Sequence, residues 1–455
     1  MPDTPFISDF RALLAKHNIS APAFAHGSKA FDSAKPKVLY SGPMYDVEEL
    51  VAATSALVEG KWFVSGEHVQ RFERLFSKYL GLADSVMVNS GSSADLIAIA
   101  AAKAHYGWSD GDGVIVSPAG FPTSISAITL NNLRPVFVDI EWETLNADNA
   151  LIETALHLHN IVTCRDHDMA ERPRPIRALF VSPVLGNPPD MDRLVALGER
   201  YSVKIVMDGC DSLGSFWRGK HLAQYAVLST CSLFPSHHVS TGHGGVISSN
   251  DKDLIALTYS MATWGKNCWC SGASNMLPNG CCGKRFSNWL PSEPDLIVDH
   301  RYVFTTDKAY NLRPLDLQGA MGCVQMGKIE GIHAARRTAY SRIVKEVLRL
   351  EGVKTARCLE HADPSWFGVP IICPTYEYKR KLIDHLEKAG VQTREYFSGN
   401  ILAQPGYQHL GNADDYPNAQ RVLRQVFFIG NAPFLTEEHF DHIQSTLESF
   451  VPPTL

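Results

Sequence analysis

The sequence predicts an α/β protein built on a mostly parallel sheet, with a smaller α+β domain after it. Three observations predict this. Short apolar runs recur between residues 37 and 325, amphipathic helical stretches separate several of them, and the rhythm changes at about residue 326. At 455 residues and 45% hydrophobic composition, the chain can bury a large core without disulfide staples.

Residues 1–36 read as an N-terminal extension with one amphipathic helical stretch over Phe10–His17. Residues 37–325 form the expected large domain. Its strand candidates are Ser85–Val88, Gly113–Ser117, Pro135–Asp139, Ala178–Ser182, Lys204–Asp208 and Gly245–Ser248. Each is a short apolar run of the kind that a doubly covered parallel strand requires. Ser92–Ala104 and Met191–Tyr201 carry helical periodicity between them. Residues 264–310 are rich in Cys, Gly, Asn and Trp, break the alternation, and are expected as a long irregular loop. A helix over Lys328–Leu350 is expected to open the C-terminal domain, 326–455.

Composition narrows the function. Against 48 acidic residues stand 42 basic ones, a net charge of −6 with no basic stripe, so a nucleic-acid partner is not expected. No window approaches 18 consecutive apolar residues, and the first twenty residues lack the basic and apolar regions of a secretory leader. A cytoplasmic protein without a membrane span is the expectation. Ten cysteines are many for a reducing compartment, where disulfides are rare, so the clustered ones point to metal or redox chemistry.

Three segments carry chemistry. Val88-Asn-Ser-Gly-Ser-Ser-Ala-Asp95 places small hydroxylated residues at a helix start. Free backbone N–H groups and the helix dipole there suit a phosphate, although a plainly capped helix would read the same. In Lys204-Ile-Val-Met-Asp208 an apolar strand ends in a carboxylate, which can hold a pyridinium nitrogen protonated or merely serve a turn. The third segment is Ser232-Leu-Phe-Pro-Ser-His-His-Val-Ser-Thr-Gly-His-Gly-Gly245.

In order and spacing these segments resemble the sugar aminotransferase group of the fold type I pyridoxal-phosphate enzymes. That group carries a Schiff-base Lys where this chain has His237. Among those enzymes the chain is similar to the pyridoxamine-phosphate-dependent 3-dehydrases of nucleotide-linked 4-keto-6-deoxyhexoses. The likeness runs from about residue 37 to the C-terminus. It includes Ala119-Gly-Phe-Pro-Thr123, Leu185-Gly-Asn-Pro188, Asp307-Lys-Ala-Tyr-Asn-Leu312, Asp363-Pro-Ser-Trp-Phe-Gly368, Thr393-Arg394, Phe397-Ser-Gly-Asn400 and Gln404-Pro405. Within that subfamily the cysteines resemble the iron–sulfur type. Fifty-seven residues separate Cys210 from Cys268, Cys270 follows after one residue, and Cys282 opens a Cys-Gly-Lys-Arg-Phe run. Four thiolates suit a 2Fe–2S cluster, and structural zinc is the competing occupant.

The resemblance implies the following roles. Ser92, Ser93 and Ser232 bind the cofactor phosphate, and Asn311 reaches it from the partner subunit of a homodimer. Phe121 stacks on the pyridine ring, Asp208 pairs with its nitrogen, and Asp211 sits near its 3-hydroxyl. His237 moves the proton while C3 of the sugar loses its hydroxyl. Electrons then arrive from a flavin/iron–sulfur reductase through a cluster on Cys210, Cys268, Cys270 and Cys282. Arg394 suits the diphosphate of a nucleotide-diphosphate sugar, because a guanidinium fork matches phosphate oxygens. A cluster-free, glutamate-coupled dehydratase, an aminotransferase and a non-catalytic sugar-nucleotide or zinc-binding scaffold are the alternatives. Four features depart from the pattern. Eleven residues rather than seven lie between Cys270 and Cys282, Cys281 adds a second candidate for the fourth ligand, Phe234 replaces a Tyr, and His243 replaces a Glu.

Overall fold

A computed structural model describes residues 3–22, 25, 31–165, 174–266 and 283–454. Helix α1 (Pro5–Lys16) opens the chain. It starts earlier than periodicity suggests because the Thr4 hydroxyl accepts the Ile7 N–H and Pro5 occupies the first helical turn. It lies against α2 (Val47–Val58), to which Arg11 donates two bonds at Glu48.

After α3 (Glu67–Leu80) the central sheet begins. Its strands are β1 (Asp84–Val88), β2 (Gly113–Val116), β3 (Arg134–Phe137), β4 (Ile176–Val181), β5 (Lys204–Asp208), β6 (Leu228–Ser232) and β7 (Gly245–Ser249). The spatial order is β1-β7-β6-β5-β4-β2-β3. Only β7 runs antiparallel to its neighbours. Crossover helices α4 (Gly91–His105), α5 (Pro122–Leu130), α6 (Asn149–Arg165), α7 (Met191–Tyr201) and α8 (Lys252–Ala262) cover the sheet. Strand β6 is an addition to the strands expected from sequence. Its residues are Leu-Ser-Thr-Cys-Ser, too polar to register as an apolar run, yet all five are buried. Thr230 is satisfied there by donating to Asp95 at 2.6 Å.

Helix α9 (Asp316–Val347) is 32 residues long and runs through the expected boundary at 325/326. It begins twelve residues before the expected Lys328. Gly319, Gly322 and Gly327 dilute its helical signal. Two of these glycines permit close approach to α3, since a Cβ on Gly319 would stand 2.3 Å from the Val69 nitrogen and one on Gly322 would meet the Phe72 ring. Asp316 fastens the crossing by accepting the N–H groups of His68 and Val69 in the first turn of α3.

The C-terminal part of the chain holds an antiparallel sheet in the order β8 (Gly368–Ile372), β10 (Val426–Gly430), β9 (Thr393–Glu395). Helices α10 (Tyr376–Lys388), α11 (Pro417–Gln425) and α12 (Glu437–Glu448) accompany it. Ile343 and Val347 of α9 enter its core beside Val369, Ile371, Phe427 and Ile429. Within the described residues of 264–310, two short strands, Phe286–Ser287 and Val298–Asp299, pair with each other. No helix among the described residues is long and apolar enough to cross a membrane.

Candidate active site

The carboxyl ends of β1, β2, β4, β5 and β6 open on one cavity of about 870 Å³, where a parallel sheet presents its ligands. The C-terminal sheet supplies the opposite wall through Phe367, Arg394, Phe397 and Phe428.

At one end stands the first turn of α4. Ser90 caps it, accepting the Ser93 N–H at 3.0 Å and donating to the Ser93 hydroxyl at 2.9 Å. Ser90, Gly91 and Ser92 line the cavity, as does Ser232 from β6. Ser93 is committed to the cap and does not belong to the lining. A Cβ on Gly91 would come within 2.7 Å of the Ser232 Cβ, so glycine lets the turn and the strand end meet. Free N–H groups, two hydroxyls and the positive helix end make an oxyanion seat.

Asp208 ends β5 and is 8% exposed. Ser124 donates to its Oδ2 at 2.7 Å, Ser182 to the same oxygen at 3.3 Å, and the Cys210 N–H to Oδ1 at 3.2 Å. Behind it lies Asp95, wholly buried in the apolar face of α4, its carboxyl pushed well up by burial and then by the charge of Asp208. Ser90 and Asp95 lie within the first motif but received no role of their own from sequence, and Ser124 and Ser182 received none either. Asp95 left one signal, a carboxylate inside an Ala- and Ile-rich helical run.

His237 faces Asp211, with 3.6 Å between Nδ1 and Oδ1. Burial, and next the positive Arg336, push its pKa down to about 4. Burial, and next Asp208, push Asp211 up to about 7. The imidazole is therefore neutral at neutral pH and can accept a proton. Arg336, on α9, is fully buried without a carboxylate partner among the described residues. It donates to the carbonyls of His237 (3.3 Å) and Ser236 (3.5 Å), and on the far side to Phe367 O and Asn431 Oδ1, both at 3.2 Å. It ties the His237 loop to the C-terminal sheet.

Phe121, 53% exposed, stands free on one face with its ring edge-on to Phe397. The Arg394 Cζ lies over the Tyr40 ring, 3.9 Å from its centroid, and the guanidinium donates to the Thr393 carbonyl. These two contacts hold the guanidinium at the cavity wall. Asn311 is exposed, bridges Thr263, and does not line this chain's own cavity. Cys210 lines the cavity, its sulfur within 4.8 Å of carboxylate oxygens of Asp95 and Asp208. Cys268, Cys270 and Cys282, with Cys281, lie outside the described residues. The lining contains no lysine among the described residues.

A sequence profile of the DegT/DnrJ/EryC1/StrS aminotransferase family matches residues 44–448. The dTDP-4-dehydro-2,6-dideoxy-D-glucose 3-dehydratase of Saccharopolyspora spinosa is 32% identical, over 93% of this chain and 88% of its own. Lipopolysaccharide biosynthesis protein RfbH of Salmonella typhimurium is 31% identical, over 98% and 97%. Among solved structures, the Escherichia coli GDP-4-keto-6-deoxy-D-mannose 3-dehydratase with bound hydrated PLP is similar at a TM-score of 0.74 and 24% identity, covering 90% of this chain and 100% of its own. That likeness establishes the fold type I architecture of the PLP-dependent enzymes, α/β with a mostly parallel central sheet.

Proposed function

The chain belongs to the DegT/DnrJ/EryC1/StrS aminotransferase family, and from that premise we propose that it removes the C3 hydroxyl of a nucleotide-linked 4-keto-6-deoxyhexose, using pyridoxamine phosphate and a 2Fe–2S cluster. The observation that carries this reading is His237, beside Asp211, in a cavity without a lysine among its described residues. Transamination in this family's manner needs a Schiff-base amine, whereas dehydration needs a base that cannot capture the cofactor. Two relatives at 31–32% identity point the same way: one is named as a 3-dehydratase and the other for lipopolysaccharide biosynthesis.

The residues fit the cofactor. The first turn of α4 with Ser92 and Ser232 would seat its phosphate, and Asp208, oriented by three donors, would keep a proton on the pyridine nitrogen. Phe121 would cover one ring face. When bound, pyridoxamine phosphate supplies an amine for the sugar's C4 ketone and a ring that takes up electrons. His237 would take a proton at the carbon bearing that amine and give one to the departing C3 hydroxyl. Asp211 at Nδ1 would orient the ring and leave Nε2 for the exchange. Arg394 would meet the nucleotide diphosphate. Asn311 would serve the partner subunit of a homodimer.

Cys210, Cys268, Cys270 and Cys282 would hold the cluster, a set whose soft sulfur donors suit iron. It would pass single electrons from a flavin/iron–sulfur reductase. Loss of water and uptake of two electrons and two protons balance to a 3-deoxy-4-keto sugar. The test is metal analysis and EPR on anaerobically purified protein. About two irons and two sulfides per chain, with a rhombic signal after dithionite that Cys268→Ser removes, are expected. Zinc or no metal under those conditions would overturn the cluster and favour cluster-free, glutamate-coupled dehydration or a structural metal site.

A further inference from the structure

Resting on that reading of the cavity, we propose that Arg336 is a positioning residue for the dehydration, holding the His237 imidazole against Asp211 from outside the cavity. The guanidinium is wholly buried and does not belong to the lining, so it acts through other groups. Its fork spans the two segments that confine the base. Nη2 donates to the His237 carbonyl at 3.3 Å, and Nη1 to the Phe367 carbonyl at 3.2 Å. The side chains of those same two residues pack on each other, with ring centroids 5.1 Å apart and 46° between the planes. One side chain thus ties the backbone of both partners in the contact that confines the imidazole.

From Phe367 the connection returns to His237 by a second route. The Phe367 N–H donates to the Leu185 carbonyl at 2.9 Å, and the Leu185 N–H donates to Asp211 Oδ2 at 3.2 Å. Asp211 Oδ1 then stands 3.6 Å from His237 Nδ1. Arg336 closes this circuit. Its last link is longer than a hydrogen bond, so the alignment of imidazole and carboxylate depends on how firmly the other links hold them.

Two costly features stand on this circuit. Leu185 is wholly buried at a φ of +54°, a conformation that a side chain with a Cβ rarely adopts and that surrounding structure must enforce. In that conformation its N–H serves Asp211 while its carbonyl serves Phe367. The turn is wedged in place, since a Cβ on Gly186 would lie 2.8 Å from the carbonyl oxygens of both Asp211 and Ser365. The second feature is the buried cation. Asp211 supports its charge, but no carboxylate bonds it directly among the described residues. A neutral amide could bond one carbonyl at less cost, whereas the arginine fork reaches two on separate segments. Strain and buried charge therefore meet on the groups that place His237.

The experiment follows full-length protein loaded with pyridoxamine phosphate through a single turnover of CDP-, dTDP- and GDP-linked 4-keto-6-deoxyhexoses. It compares wild type with Arg336→Lys, with Asn431→Ala, and with each of these combined with His237→Asn. Asn431 lies outside the cavity lining, and its loss removes one acceptor of the guanidinium. We expect Arg336→Lys to slow the turnover about ten- to a hundredfold, with half-saturating substrate concentration and pyridoxamine phosphate affinity unchanged. Asn431→Ala should act in the same direction by less, and it carries the test if the lysine variant does not fold. In the His237→Asn background neither should slow the turnover further, because the residue they act through is gone. A second readout needs no ligand. The His237 imidazole signal of histidine-labelled apoprotein, identified by its loss in His237→Asn, should shift or broaden in Arg336→Lys. Equal slowing in both backgrounds, a loss carried by affinity instead of rate, or an unmoved imidazole signal would overturn the inference alone. A wild-type protein that turns over none of the three sugars would overturn the reading of the cavity, and the apoprotein signal would still judge the tie between Arg336 and His237.

Discussion

His237 and Arg336 show how little of a residue's task is written in its identity. His237 was legible through the resemblance alone, which sets it where related enzymes carry a Schiff-base lysine. Its replacement by Asn keeps a polar edge but removes the base. His237→Asn should lower turnover by about 10²–10⁴-fold while pyridoxamine phosphate affinity stays at the wild-type value, read from single-turnover dehydration and equilibrium binding. Retained turnover would remove His237 from the proton path. Arg336 was silent, since an arginine in a helical run reads as a solvated face. Only burial shows that its guanidinium satisfies four oxygens drawn from the His237 loop and the C-terminal sheet. Arg336→Met would strand those acceptors, and we expect about 3 kcal/mol of lost stability in urea titration. Arg336→Lys should recover a fraction of it, because an ammonium reaches fewer of them. Wild-type stability in the methionine variant would mean that water reaches the carbonyls in its place.

At the scale of elements, the same chemical change should give two different readouts. Gly319 and Gly245 both sit where a Cβ has no room, the first at the crossing of α9 and α3 and the second between β7 and the first turn of α4. Gly319→Ala would push α9 and α3 apart at a residue outside the cavity lining, so it should cost about 1–3 kcal/mol of stability with a smaller effect on ligand affinity than Gly245→Ala. Gly245→Ala would displace the Ser90 carbonyl and with it the oxyanion seat. Pyridoxamine phosphate should then bind about tenfold more weakly while pyridoxamine is less affected. Unchanged affinity there would move the phosphate away from α4. These contacts also explain which elements the sequence disclosed. β5 was legible as Lys-Ile-Val-Met-Asp because an apolar run needs no partner to be recognised. β6 was hidden because its buried hydroxyls acquire partners, such as Asp95 for Thr230, only once α4 is in place. The start of α9 was hidden because its glycines answer to α3, a constraint from outside the helix.

At the scale of the whole molecule, α9 joins the seven-stranded sheet to the C-terminal three-stranded sheet, and the junction is lined by buried histidines. His333 of α9 offers Nδ1 to the Ser365 hydroxyl at 2.7 Å and packs so near the large domain that a Cβ on Gly214 would lie 2.3 Å from its ring. Arg336 and Arg337 face it with positive charge, and the rings of Tyr79 and His238 lie 6.0 and 5.4 Å away. His221 is enclosed between the N–H groups of Ala223 and Gly214, at 3.1 and 3.2 Å, which leaves no side of the ring where a further proton finds an acceptor. Burial pushes both histidines down to about 3. The sign follows from linkage. In the unfolded chain they titrate near 6.5, so their contribution is fully present above that pH. It is lost as pH falls towards 3, at about 1.4 kcal/mol per pH unit for each. Glu73, raised by burial to about 8, acts in the opposite sense, since its contribution is present at low pH and lost as pH rises towards 8. A wild-type curve therefore mixes the two, and the difference from His333→Gln isolates one. That variant should be less stable than wild type at pH 7, and its deficit should shrink by about 2 kcal/mol between pH 6.5 and 5, read from urea midpoints. Parallel curves would mean that His333 accepts its proton in the folded state without penalty, and that the junction opens to water there.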